Sequence, residues 1–84
     1  MALPDNCDAE KTAEIAIGLL YLTIHGPEMA PSAWKGIDWD VMGLLHDKGW
    51  ISNPAGKAKS VVLTDVGLRK AEAMFKKHFT IEAK

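Results

Sequence analysis

Only one cysteine, Cys7, stands among the 84 residues, so no internal disulfide can form and a reducing compartment is the simplest reading. Long apolar runs are missing as well. None approaches the roughly 18 residues that a membrane span requires, and Met1-Ala2-Leu3-Pro4-Asp5 lacks the basic and then apolar layout of a secretory signal. The expected location is the cytoplasm, without membrane contact. Histidines are few: His25, His46 and His78 are scattered, and with a single thiol they do not offer the four closely spaced ligands of a structural zinc site. No metal or other cofactor is expected. Ser32, Ser52 and Ser60 lie in no Gly-x-Ser-x-Gly context, and no glycine-rich loop is laid out to cradle phosphate. The carboxylates read as helix caps and exposed charges. No catalytic residue is assigned, and a non-enzymatic protein is expected.

What is present is ordinary globular composition: 48% hydrophobic and 25% charged residues suffice for a core and argue against disorder. One domain spanning 1–84 is expected, with 1–7 a flexible N-terminus. A domain of this length buries only about 60 to 65% of the surface of its unfolded chain, so its stability margin is thin. The formal net charge of −1 conceals a division at Lys48. Residues 1–47 carry eight acidic against two basic side chains, a net −6, whereas residues 48–84 carry eight basic against three acidic, a net +5. The molecule is expected to be bipolar.

From Asp8 to about Ile24, Ala9, Ala13, Ala16, Ile17, Leu20 and Ile24 recur at three- and four-residue intervals and predict a helix capped by Asp8. A second apolar row, Ile15, Leu19 and Leu22, lies beside the first. The combined arc exceeds what a surface helix needs, so this is either the central helix of the domain or a homodimer face. Gly18 in its middle reads either as a close approach by a neighbour or as plain tolerance, and tolerance is the simpler expectation. Residues 25–36 hold Gly26-Pro27 and Ala30-Pro31, which leaves room for one short turn around Ser32-Ala33-Trp34-Lys35. Asp38 then caps a helix from Trp39 to Lys48 that Gly49 ends as a left-handed stop. Trp50-Ile51-Ser52 and Lys59-Ser60-Val61-Val62-Leu63 flank a turn-rich loop and predict a hairpin. Thr64 caps a last helix through about Phe79, with Leu68, Ala71, Phe75 and Phe79 on its inner face.

The run Leu44-Leu45-His46-Asp47-Lys48-Gly49-Trp50-Ile51, followed by a basic hairpin tip and Val61-Val62-Leu63-Thr64-Asp65-Val66-Gly67, resembles the helix, wing and closing helix of winged-helix regulators of the MarR and PadR kind. The likeness covers roughly residues 37 to 80. Ala33-Trp34-Lys35-Gly36, Asp38-Trp39 and Lys57-Ala58-Lys59-Ser60-Val61-Val62-Leu63-Thr64 are similar to an uncharacterised family of short bacterial proteins. The resulting expectation is an α+β, mostly helical, winged-helix-like domain with a truncated helix-turn-helix: long helix, short turn, helix, two-stranded β wing and C-terminal helix. The resemblance implies DNA binding, but the side chains argue against groove insertion. A recognition helix needs outward cations or amides, and here the outward positions are Trp39, Asp40, Gly43, His46 and Asp47.

Two surfaces are therefore expected to meet partners. Trp39, Asp40, Met42, His46 and Asp47 form a flank suited to a protein partner, unless Trp34 and its loop fold over Trp39. Lys57, Lys59, Arg69, Lys70, Lys76 and Lys77 form a basic ridge for an acidic protein surface or a phosphate backbone, unless they are simply solvated. Ile15, Leu19 and Leu22 are the candidate face for a homodimer. Trp50 is expected in the core.

Overall fold

The computed structural model describes residues 3–26, 29–34, 36–55 and 59–81. It is α+β: three helices and a two-stranded antiparallel sheet, an arrangement consistent with a small winged-helix-like domain. Helix α1 spans Ala9–Tyr21, strand β1 Ser32–Trp34, helix α2 Trp39–Asp47, strand β2 Ser60–Val62 and helix α3 Asp65–His78.

Each helix begins on the capping residue that its sequence supplies. The Asp8 carboxylate accepts from the Lys11 amide at 3.0 Å, Asp38 from those of Asp40 and Val41, and the Thr64 hydroxyl from that of Gly67 at 2.9 Å. Gly49, at φ 76°, ends the α2 turn in the left-handed region as expected. Helix α1 stops earlier than its apolar rhythm suggests. The amides of Leu22, Thr23 and Ile24 each donate three residues back, and the Thr23 hydroxyl occupies the Leu20 carbonyl. That tightened turn carries Ile24 onto the core edge without extending the helix.

Two expectations about the backbone are corrected. Residues 32–34 form a strand where one helical turn was expected, because β2 offers them an edge to pair with: Ser32 faces Val62, Ala33 faces Val61 and Trp34 faces Ser60. Among the described residues the predicted hairpin closes at its base, through a bridge between Ile51 and Leu63 and the Ser52 amide on the Val62 carbonyl at 2.8 Å. Beyond it, the Ser52 hydroxyl takes the Val62 amide, and Pro54 has no N–H with which to continue a ladder. Ahead of α1, the Cys7 amide donates to the Pro4 carbonyl at 3.0 Å and Leu3 packs on the core.

The core is shared by all elements: Ile17 and Leu20 from α1, Met42 and Leu45 from α2 are its most enclosed large side chains, with Trp50, Ile51, Val61, Leu63, Ala71 and Met74 around them. Helix α1 packs most extensively on α3. At their crossing a Cβ on Gly18 would stand 2.9 Å from the Phe79 ring and 3.2 Å from the α3 backbone at Met74 and Phe75. Close approach, not tolerance, explains this glycine. Tyr21 lies against Phe75 at 4.9 Å between ring centres, and Phe75 stacks on Phe79.

Candidate functional site

Helix α2, the helix whose outer side was expected to meet a partner, includes no lysine or arginine among its nine residues. Val41, Met42 and Leu45 turn inward. Trp39, 61% exposed, points outward together with His46 and Asp47, and Asp40 is half-buried. Trp34 does not close over Trp39, since it is itself 52% exposed and lies tilted against the His25 ring, 5.3 Å between ring centres. Met42 must leave the partner-binding set. It is 1% exposed, because its position on α2 falls between the Val41 and Leu45 rows that drive the helix into the core. Gly43 lies on the outward side, where an added Cβ would meet nothing within 4 Å, so the ground beside Trp39 is open.

A second surface is assembled only by the fold. The Lys48 ammonium, at the end of α2, binds both carboxylate oxygens of Glu10 in the first turn of α1 at 2.7 and 2.8 Å, so α2 ends where α1 begins. Between the two helices lies an open groove of about 400 Å³. Thr12, Ile15, Ala16 and Leu19 of α1 form one wall, Ile37 and Val41 the other, and Asp8 and Lys11 also line it. Of the candidate dimer face, Ile15 and Leu19 line this groove, while Leu22, the C-cap of α1, stands 59% exposed outside it. The part played by Ile37 and Val41 had no sequence signal, because both also read as ordinary core positions.

The basic ridge is less uniform than its composition suggests. Lys59, Arg69, Lys76 and Lys77 are exposed, but Lys76 pairs with Glu72 at 3.7 Å. Lys70 stands over the Trp50 ring at 5.6 Å, as Lys48 does at 5.4 Å. Lys57 lies outside the described residues. Trp50 itself is buried as expected.

The histidines are dispersed. His25 shares a hydrogen bond with the Thr23 carbonyl, His78 reaches Glu14 at 3.8 Å across the α1–α3 contact, and His46 is exposed on α2. Among the described residues no three of His, Cys, Asp or Glu gather as a metal site would require, and no helix is long and apolar enough to cross a membrane.

A family model described as "Domain of unknown function (DUF6429)" matches residues 8–81, which includes all three helices and both strands. The chain is similar to "Uncharacterized protein y4hR" of Sinorhizobium fredii (strain NBRC 101917 / NGR234), with 44% identity over 73 residues that cover 87% of this chain and 95% of the relative. No solved structure matches it.

Proposed function

The chain belongs to the DUF6429 family, and for it we propose the role of a non-enzymatic, winged-helix-like interaction module that binds a protein partner in the cytoplasm. The single observation behind this reading is the outer side of α2: an indole 61% exposed, accompanied by His46 and Asp47 and by no lysine or arginine of that helix. A carboxylate there repels a phosphate backbone, whereas an exposed tryptophan beside open ground is the anchor that protein interfaces use. Self-association, if it occurs, would use Ile15, Leu19 and Leu22, each of which is more than a third exposed.

The test is a pull-down from the native host with and without nuclease, using the unaltered chain and Trp39→Ala. Capture that survives nuclease and is lost with Trp39→Ala supports the reading. Capture abolished by nuclease, or indifferent to Trp39, removes it.

A second reading is DNA binding through phosphate contacts. Its supporting observation is that Lys59, Arg69 and Lys77 are exposed on the later half of the chain. It requires salt-dependent affinity for duplex DNA that falls when these residues become alanine.

A further inference from the structure

We propose that Ser60 is an acyl acceptor, its hydroxyl activated by His25, and that the open face of the sheet around it receives an apolar acyl group carried as an activated ester. Such a transfer modifies the chain once and needs no turnover, so it goes beyond the protein-binding reading above and does not depend on it.

The sheet places the groups. Ser32 exchanges both backbone hydrogen bonds with His25, each at 2.9 Å, so its amide and carbonyl point away from β2. The facing pair of Ser32 and Val62 is therefore a non-hydrogen-bonded one. Two residues along, the pair of Trp34 and Ser60 is of the same kind, in which facing side chains stand closest. Alternation sends Ala33 and Val61 into the core, which leaves His25, Trp34, Ser60 and Val62 on the outer face.

Proton positions then follow from one bond. The Thr23 carbonyl lies 2.9 Å from Nδ1 of His25 and can only accept, so in the neutral imidazole the proton is on Nδ1 and the lone pair on Nε2. Nε2 lies 3.4 Å from the Ser60 hydroxyl, which therefore donates to it, at the loose end of a reach that tightens when a substrate binds. Thr23 is itself held in place: its hydroxyl donates to the Leu20 carbonyl at 3.0 Å and accepts from the Trp34 amide at 3.3 Å. Nucleophile, base and orienting group thus stand in series. Attack joins Oγ of Ser60 to the acyl carbon, and Nε2 takes the hydroxyl proton. That proton passes to the departing aryl oxide or thiolate as its bond to the acyl carbon breaks. No backbone amide is assigned to the oxyanion, so the electrophile must carry a good leaving group, as an aryl ester or thioester does. Trp34, across the strand pair from Ser60, and Val62, on the same strand, are 52% and 41% exposed and flank the hydroxyl with apolar surface for the acyl chain.

The experiment incubates the full chain with para-nitrophenyl acetate and para-nitrophenyl hexanoate and maps the acylated side chains by peptide mass spectrometry, with Ser32 and Ser52 as internal references. Ser60 is expected to acylate about a hundredfold faster than either, the low end of general-base assistance, and faster with the hexanoate than with the acetate. His25→Gln should bring Ser60 down to the rate of the other two serines at an unchanged melting temperature, since His25 is exposed. Trp34→Ala should keep acetyl transfer and lose the preference for the longer chain. Equal rates at the three serines, or a Ser60 rate indifferent to His25→Gln, overturns the proposal. An adduct that stays on the His25 ring makes the imidazole the nucleophile and overturns it as well. A hexanoate preference that survives Trp34→Ala overturns the assignment of the apolar flank. None of these outcomes decides the Trp39 surface, which nuclease-resistant capture tests separately.

Discussion

Gly67 lies so close beneath the backbone of Trp50 that a Cβ at this position would enter the Trp50 carbonyl oxygen. The contact is part of a latch. The Thr64 amide donates to that same carbonyl at 3.0 Å, while the Thr64 hydroxyl donates to the Gly49 carbonyl at 2.6 Å and accepts from the Gly67 amide. Four residues thereby tie the end of α2 to the start of α3, which explains the spacing of the Lys-Gly-Trp and Leu-Thr-x-x-Gly segments in physical terms.

Gly67→Ala is accordingly expected to destabilise the chain by about 2 to 3 kcal/mol, the cost of forcing extra volume into a packed site. For a domain of this size the melting temperature should fall by roughly 10 to 20 °C, measured by circular dichroism. An unchanged melt would show that the α3 start shifts freely away from Trp50.

Gly43→Ala should do the reverse. The position is in the middle of α2 and faces open space, so the substitution gains about 1 kcal/mol of helix propensity with nothing to displace. The melting temperature is expected to rise, and nuclease-resistant capture to weaken if the partner uses the ground beside Trp39. A stabilised variant with undiminished capture would move the contact away from Gly43.

Thr64→Ala removes a cap and a tie to Gly49 together, a loss of about 1 to 2 kcal/mol. Thr64→Ser keeps the hydroxyl and should lose less than half as much. Equal losses in urea titration would shift the explanation from the hydroxyl to the threonine methyl group.

The pair of Lys48 and Glu10 should contribute little through charge, because Glu10 is 78% exposed. Glu10→Gln is expected to cost well under 1 kcal/mol. Lys48→Ala should cost more, because its ammonium also stands over the Trp50 ring. A double-mutant cycle across the two positions measures the difference, and a coupling above about 1 kcal/mol would contradict the screening argument.

Duplex DNA at physiological salt is expected to leave the chain unbound in a fluorescence anisotropy titration. Affinity that falls with salt and weakens on changing Lys59, Arg69 and Lys77 to alanine would replace the protein-binding reading with the phosphate-binding one.

Local signals were legible wherever the responsible groups are neighbours in the chain. Asp8, Asp38 and Thr64 announced the helix starts, Gly49 the stop, and Trp50 its burial. The signals failed where the partner is distant. Ser32–Trp34 reads as a turn just after Pro31 until β2 supplies an edge, and Met42 reads as part of a flank until the assembled core encloses it. Gly18 and Gly67 resemble each other in sequence as helix glycines, yet each is required by a different backbone that only folding brings near.

The sequence alone determined the three helices, their caps and the opposed charges of the two halves, because these depend on side chains within a few residues of one another or on composition. Tertiary structure alone decided that Ile15 and Leu19 face Ile37 and Val41 across a groove, that β1 joins β2, and that Trp39 stays in the open while Met42 does not. Those outcomes depend on which surfaces the core consumes first, and no local periodicity records how two helices from distant parts of a chain will meet.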